Sequence, residues 1–157
     1  MKRKVFVVAI IIIILDQVIK GILPLFLNPD SSITIIPNFF RITYVMNQGA
    51  AFNIFTNRIS FLIMASILAI VVLIKYMQSF VLNKRNIIAL GLTFGGISGN
   101  LIDRLFHGYV VDFLDFNFGN YYFPVFNFAD SAIVIGIGLI IWAIIKGEDL
   151  NGIKGNK

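Results

Sequence analysis

The alternation of apolar and polar stretches divides this chain into four long apolar segments and two mixed ones. The apolar segments cover 5–23, 59–77, 86–106 and 126–145. Nineteen residues of α-helix extend about 28 Å, which is close to the thickness of the hydrocarbon core of a bilayer. The pattern therefore predicts four transmembrane helices.

The two mixed segments, 24–58 and 107–125, lack such long apolar runs. They contain stretches rich in Ile, Val, Thr, Phe and Tyr, at 32–47 and 107–124, in which apolar and polar residues partly alternate. β-Branched and aromatic residues in this pattern favour short strands. We therefore expect a small sheet at the membrane surface.

Composition supports a membrane protein and removes several other classes. Hydrophobic residues make up 58% and charged residues 13% of the chain, whereas a soluble domain carries roughly a quarter charged residues. We interpret 1–157 as one membrane-embedded domain, and its net charge of +5 as a determinant of topology, with no indication of nucleic-acid binding. The absence of cysteine excludes a thiol nucleophile, and the single histidine disfavours a zinc site.

The basic residues predict the orientation of the helices. If both termini lie in the cytoplasm, nine of the thirteen Lys and Arg residues face it, as the positive-inside rule favours. These nine are Lys2, Arg3, Lys4, Lys75, Lys84, Arg85, Lys146, Lys154 and Lys157. In this orientation both mixed segments are extracytoplasmic.

Polar residues from four parts of the chain then come to one depth, the outer membrane–water interface. They are Asp16 and Lys20 in the first helix, Asn47 and Asp112 in the mixed segments, Asn100, Asp103 and Arg104 in the third helix, and Asn127 and Asp130 in the fourth. Several of them are three or four residues apart, so they share a helix face. Because ionisable groups within membrane segments are unfavourable, this convergence is a functional hypothesis.

Asp112 and Asp130 form the candidate catalytic pair. Two neighbouring carboxylates do not readily ionise together, so one holds a proton while the other is charged, as activation of a water and protonation of a leaving amine require. The structural alternatives are an N-cap or interfacial role for Asp130 and an exposed loop position for Asp112. We interpret Asp103 and Asp115 as structural or supporting.

Two basic residues have both structural and functional interpretations. Lys20 could form an internally satisfied pair with Asp16 and extend outward to the interface, or the pair could hold the substrate or the site. Arg104 could pair with Asp103, Asp112 or a lipid phosphate, since its guanidinium suits carboxylate and phosphate alike.

Two serine-based interpretations stay open. Residues 96–99, Gly-Ile-Ser-Gly, have the form found around intramembrane serine protease nucleophiles, but the only histidine, His107, follows the same helix. A stripe of glycines spaced four residues apart explains this stretch better, as a helix-packing surface. Ser131 and Lys20 could form a Ser–Lys dyad, although nothing in the sequence brings them together.

Five blocks of sequence together resemble the bacterial prolipoprotein signal peptidases, also called type II signal peptidases. The blocks follow the order of that family and extend from the first apolar segment into the fourth. They are Asp16-Gln17-Val18-Ile19-Lys20; Asn47-Gln48-Gly49-Ala50-Ala51-Phe52; Gly95-Gly96 with Gly99-Asn100 and Asp103-Arg104; Gly108 with Val111-Asp112-Phe113; and Phe123-Pro124 with Phe126-Asn127 and Ala129-Asp130-Ser131. Each block alone is weak, but the set is specific.

The resemblance implies an α-helical integral membrane protein, a four-helix aspartyl protease whose outer side carries a small β-sheet cradle and a short surface helix. The implied site residues are Asp112 and Asp130 as the catalytic pair, Asn47, Asn100, Arg104 and Asn127 as the polar lining, and Asp16 and Lys20 as a supporting pair. A donor among Asn100, Arg104 and Asn127 could stabilise the oxyanion.

The resemblance also implies the substrate and the setting. The substrates would be prolipoproteins that carry a diacylglyceryl group on a cysteine, and the cut would fall just before that cysteine. The enzyme would lie among the lipids of the bacterial cytoplasmic membrane, and cyclic peptide antibiotics would inhibit it. No metal or organic cofactor is implied.

Two alternatives come from other functional classes. A small proton- or ion-coupled carrier could use Asp16, Lys20 and Asp130, since intramembrane acids serve such relays. Against it, the polar groups gather at the outer side and do not form a path across the membrane. A non-catalytic lipoprotein-binding or scaffold protein would keep its activity without Asp112 and Asp130.

Overall fold

Four helices are formed by the residues that the computed structural model describes, which are 1–49, 55–56, 58–119 and 121–147. They are α1 (Lys2–Ile22), α2 (Ile59–Met77), α3 (Lys84–Phe106) and α4 (Phe128–Ile145), and a short 3₁₀ turn, Leu23–Leu25, follows α1. Each helix overlies one of the four apolar segments.

Helix α3 lies at the centre of the bundle and packs against α1, α2 and α4. Small residues allow this close packing: a Cβ atom at Gly95 would lie 2.6 Å from Cβ of Ile12 in α1, and one at Gly96 would overlap the carbonyl oxygen of Ala129 in α4. Since small residues let helix backbones approach closely, α3 brings its polar face against both α1 and α4.

Three helical segments of the described chain are long and apolar enough to cross a membrane: Lys2–Leu25, Ile59–Met77 and Phe128–Ile145. Helix α3 is not among them, because it carries polar residues along its length. Asn86, Thr93, Asn100 and Asp103 are all buried inside the protein, so they reduce the hydropathy of α3 without lying on its outer surface.

The sequence prediction of a small sheet is confirmed. Strands β1 (Ser32–Ile36), β2 (Phe40–Asn47), β3 (Val110–Phe118) and β4 (Tyr121–Tyr122) form one antiparallel sheet in that order. Residues 50–54 and 57, which belong to the predicted extracytoplasmic segment 24–58, lie outside the described residues.

Two contacts fix the sheet beside the helices. Leu23 and Leu27, after α1, form an apolar cluster with Tyr44, Val111 and Phe113 on the sheet. The residues before α4 pair with β3: the Leu114 N–H donates to the Phe126 carbonyl at 2.7 Å, and the Phe126 N–H donates back at 3.1 Å. The middle of β3 therefore lies next to the first turn of α4.

Candidate active site

Asp112 lies in β3 with its side chain buried between two amides. Nδ2 of Asn47 donates to its Oδ2 and Nδ2 of Asn127 donates to its Oδ1, each at 2.7 Å. Asp112 is only 3% exposed, so the alternative of an exposed loop acid is wrong.

The environment of Asp112 favours its protonated form. Burial raises its pKa from 3.8 to about 6, and the nearby charge of Asp130 acts in the same direction. The hydrogen bonds from Asn47 and Asn127 and the positive charge of Lys20 lower the pKa and so oppose this shift in part. A carboxyl group with a pKa near 6 can hold a proton close to neutral pH, as a general acid must.

Asp130 lies in the first turn of α4, where it has two structural partners. Asn127 caps the helix by accepting from the Asp130 N–H at 2.9 Å, and Oδ2 of Asp130 accepts from the Asn127 N–H at 3.2 Å. Its other oxygen, Oδ1, accepts from Nδ2 of Asn100 at 2.7 Å. The capping interpretation of Asp130 is therefore correct, and it does not prevent the same carboxylate from facing the cavity described next.

Asp112 and Asp130 line the same cavity, which has a volume of about 530 Å³. Asn47, Asn100, Arg104 and Ser131 are its other polar residues, and the remaining wall is apolar. The apolar residues are Val110, Phe123, Pro124, Val125, Phe126, Ile133, Val134 and Ile135. The cavity therefore offers two carboxyl groups to a ligand whose other surfaces are apolar.

A buried ion cluster lies behind the cavity. Nζ of Lys20 lies 2.8 Å from a carboxylate oxygen of Asp16 and 2.8 Å from one of Asp103, and it donates to Oδ1 of Asn100 at 3.0 Å. Lys20 is only 4% exposed. The prediction that it pairs with Asp16 is confirmed, but the prediction that it extends outward is wrong, because its ammonium has three buried partners.

Arg104 does not form the ion pairs considered from the sequence. Among the described residues its guanidinium is beyond salt-bridge distance of every carboxylate, and it donates to two backbone carbonyls, of Asn100 at 3.4 Å and Gly49 at 3.3 Å. Its buried Nε has no partner in the described part of the chain. Arg104 thus lines the cavity with unused hydrogen-bonding capacity.

The residues of the serine-based interpretations have other contacts. Oγ of Ser131 donates to the Asn127 carbonyl at 3.1 Å, while the ammonium of Lys20 is occupied by the ion cluster, so no Ser–Lys dyad is formed between them. His107 is exposed and lies beside Tyr109. Asp115, interpreted as structural, accepts from Thr43 at 3.1 Å and pairs with Arg41 at 2.6 Å.

The structure brings together all eight site residues predicted from the sequence. It adds two that were not among them, Asp103 and Gln17. Asp103 pairs with Lys20, and Nε2 of Gln17 donates to Asp103 at 2.8 Å. The position of Asp103, three residues after Asn100, placed it on the same helix face and could have identified it. No comparable signal marks Gln17 outside the first block of the resemblance.

Comparison with known proteins gives consistent matches over this region. The family model for signal peptidase (SPase) II matches residues 8–146. A lipoprotein signal peptidase from Staphylococcus haemolyticus (strain JCSC1435) is 41% identical over 152 residues, which are 93% of this chain and 96% of the relative. One from Syntrophotalea carbinolica is 38% identical over 148 residues, 90% of each protein.

Two solved structures, both described as a bacterial membrane enzyme, have a similar fold. One has a TM-score of 0.83 and 37% sequence identity, and the match covers 90% of this chain and 87% of that chain. The other has a TM-score of 0.80 and 37% identity, and the match covers 90% of this chain and 92% of that chain. Both matches therefore extend over most of this chain.

Proposed function

The chain belongs to the signal peptidase II family, and from this premise we propose that it is an aspartic endopeptidase that removes signal peptides from prolipoproteins. The observation that supports an aspartic mechanism best is that Asp112 and Asp130, from β3 and α4, line one cavity. The family gives no support to the carrier interpretation.

The proposed setting is the bacterial cytoplasmic membrane, which α3 spans together with the three long apolar helices α1, α2 and α4. Its buried polar residues face other helices of the bundle, so its lower hydropathy is compatible with a membrane position. Both termini are cytoplasmic in this proposal, and the sheet and the cavity are extracytoplasmic. The distribution of Lys and Arg supports this orientation.

The proposed substrate is a prolipoprotein with a diacylglyceryl group on the cysteine that follows the cut. The cavity has an apolar wall that continues along α4, where Val134 and Ile135 are exposed. Such a surface suits a substrate whose signal helix and acyl chains lie in the membrane lipid. We also propose that cyclic peptide antibiotics that inhibit this family occupy the same cavity.

In the proposed mechanism a water molecule attacks the scissile carbonyl without an acyl-enzyme. Asp130, as carboxylate, takes a proton from the water while the oxygen of that water bonds to the carbonyl carbon. When the C–N bond breaks, the proton of Asp112 passes to the leaving nitrogen. A proton then returns from Asp130 to Asp112, and the pair is ready for the next cycle.

Arg104 is the best placed of the three candidate oxyanion donors. Nδ2 of Asn127 donates to both Asp112 and Asn100, and Nδ2 of Asn100 uses one of its two N–H groups on Asp130 at 2.7 Å. Among the described residues, Arg104 has two hydrogen bonds, both long and both to carbonyls. A cation at the cavity wall would stabilise negative charge as it develops on the carbonyl oxygen.

The proposal is tested with purified enzyme in detergent and a prolipoprotein prepared with and without the diacylglyceryl group. We expect one cut in the modified substrate, and mass spectrometry should place it immediately before the lipidated cysteine. The unmodified form should stay uncut. A cut elsewhere, or equal cutting of both forms, would contradict the proposed specificity.

A further inference from the structure

Three asparagine side chains surround the two aspartates, and each is oriented by a group that can only donate. For Asn47, the Gly49 N–H donates to Oδ1 at 2.8 Å. For Asn127, the Asp130 N–H donates to Oδ1 at 2.9 Å. Because an amide carries its acceptor and its donor on opposite branches, each Nδ2 is turned toward Asp112.

The third asparagine, Asn100, is oriented by a charged donor. Nζ of Lys20 lies 3.0 Å from its Oδ1, and an ammonium has no acceptor atom. Nδ2 of Asn127 also approaches this oxygen at 3.2 Å, but it donates to Asp112 at 2.7 Å. The ammonium is the shorter and the charged donor, and charge-assisted hydrogen bonds are roughly twice as strong as neutral ones.

The result is that all four carboxyl oxygens of the pair accept an N–H. Asp112 accepts from the side-chain amides of Asn47 and Asn127. Asp130 accepts from the side-chain amide of Asn100 and from the backbone N–H of Asn127. None of these groups accepts a proton from the pair. The proton shared by the two carboxyl groups therefore has no acceptor among these four N–H groups and is left free to move toward the cavity.

We propose that Lys20 is a positioning residue: its ammonium holds the Asn100 amide so that an N–H, and not a carbonyl oxygen, meets Asp130 and keeps that carboxylate available as the base. The side chain of Asn100 lies between Lys20 and Asp130. Lys20 therefore acts through Asn100 and does not touch the substrate. This inference rests on the proposed function and deepens it.

Lys20 is held in place by its own partners. Its three N–H donors point to Asp16, Asp103 and Asn100, which accounts for all the hydrogens of an ammonium. Nε2 of Gln17 bridges the two carboxylates, at 3.3 Å from Asp16 and 2.8 Å from Asp103. The Ala129 N–H donates to Asp16 at 3.0 Å, so the cluster also contacts the first turn of α4.

Several charged groups influence Asp130 from the surrounding elements, and the test must separate Lys20 from them. Asp112 faces it from β3 and Arg104 from α3. Lys20 reaches it from α1 through Asn100, and Asp16 and Asp103 lie one contact further. Among the charged side chains of the described residues, Lys20 is the one that donates to the side-chain oxygen of Asn100, so a double-variant comparison with Asn100 isolates this path.

The test is the pH profile of kcat/KM for cleavage of a diacylglyceryl prolipoprotein by wild type, Lys20→Gln and the matched control Lys75→Gln. Lys75 is exposed at the end of α2. A glutamine at position 20 can accept as well as donate and carries no charge, so the Asn100 amide is no longer held with its N–H toward Asp130. We expect the acid limb to move up by about 0.5 to 1 pH unit, while KM stays within about twofold and Lys75→Gln follows wild type.

Asn100→Leu provides the second arm, because it leaves both ion pairs of Lys20 in place. We expect the same upward shift of the acid limb, and no further shift when Lys20→Gln is added, since the path through Asn100 is already broken. If Lys20→Gln does not fold, Lys20→Met takes its place, since it likewise removes the ammonium that holds Asn100.

The inference would be overturned by an unshifted acid limb in the Lys20 variant, or by shifts that add in the double variant. Failure of the proposed function looks different. In that case Asp130→Asn would retain wild-type cleavage at every pH.

Discussion

Asp112 is a carboxyl group that folding places in an environment unfavourable to its charge. It is almost fully buried, and the two amides that bond to it compensate the loss of water only in part, so its pKa rises to about 6. A raised pKa means that the folded state binds the proton more tightly than the unfolded state does. The same feature that suits a general acid therefore makes stability depend on pH.

The pH dependence can be measured with Asp112→Asn. Between the unfolded pKa of 3.8 and the folded pKa of about 6, the wild type loses stability as pH rises, by up to about 3 kcal/mol. The variant has no proton to lose at this position. We expect its thermal midpoint in detergent, relative to wild type, to be more favourable at pH 8 than at pH 4.

Asp30→Asn is the matched control, because Asp30 is exposed and its positive φ of 62° is readily adopted by asparagine. Its midpoint should follow wild type at both pH values. A constant offset between Asp112→Asn and wild type across this range would show that the charge of Asp112 does not destabilise the fold.

The candidate site residues could be predicted from the sequence because polar residues in apolar segments have few structural reasons to occur there. Their pairings could not. Whether Lys20 extends outward or stays buried depends on whether Asp103 and Asn100, about 80 residues away, complete its hydrogen bonds. Likewise, the donation of Arg104 to the Gly49 carbonyl depends on a part of the chain that is distant in sequence.

The interface between α3 and α4 determines how far Asn100 lies from Asp130. A Cβ at Gly96 would overlap the Ala129 carbonyl and lie 2.7 Å from Cγ1 of Ile133. The first of these contacts is with backbone, which cannot move aside by changing a rotamer. The two helices would have to separate at the level of the first turn of α4, where Asp130 lies.

Gly96→Ala is therefore expected to reduce both stability and cleavage. Overpacking of this kind typically costs about 1–3 kcal/mol, and even an ångström of displacement at the site can lower the rate by about 100-fold. Gly138→Ala in α4 is the control, since a Cβ there meets nothing within 4 Å. Wild-type midpoint and rate in Gly96→Ala would mean that this close approach is not needed.

The sequence indicated the elements better than their environments. Apolar runs and alternating stretches placed four helices and a small sheet, since both patterns follow directly from backbone geometry. The central position of α3 was not predictable from its hydropathy. Its polar residues reduce its apolar character, and only the packing against α1 and α4 shows that those residues are covered by protein.

At the scale of the whole molecule, the account requires the sheet and the cavity on one side of the membrane and the chain ends on the other. The chain has no cysteine, so single cysteines can report accessibility without background. Ser32 and Tyr121 are exposed on the sheet, and Lys75 and Lys146 are exposed at helix ends.

We expect a membrane-impermeant maleimide to label Ser32→Cys and Tyr121→Cys in intact spheroplasts. Lys75→Cys and Lys146→Cys should be labelled only after the membrane is opened, because four spans return the chain to the cytoplasm. Labelling of all four positions from outside, or the reverse pattern, would contradict the four-span topology.

The central claim is that Asp112 and Asp130 together cleave the substrate, and one measurement tests it most directly. Cleavage of a diacylglyceryl prolipoprotein is compared in detergent among wild type, Asp112→Asn, Asp130→Asn and the exposed control Asp30→Asn. The account predicts that both site variants bind the substrate but cut it at least ~100-fold more slowly, as expected for lost acid–base catalysis, while Asp30→Asn cuts at the wild-type rate. Wild-type cleavage by either site variant would contradict the account.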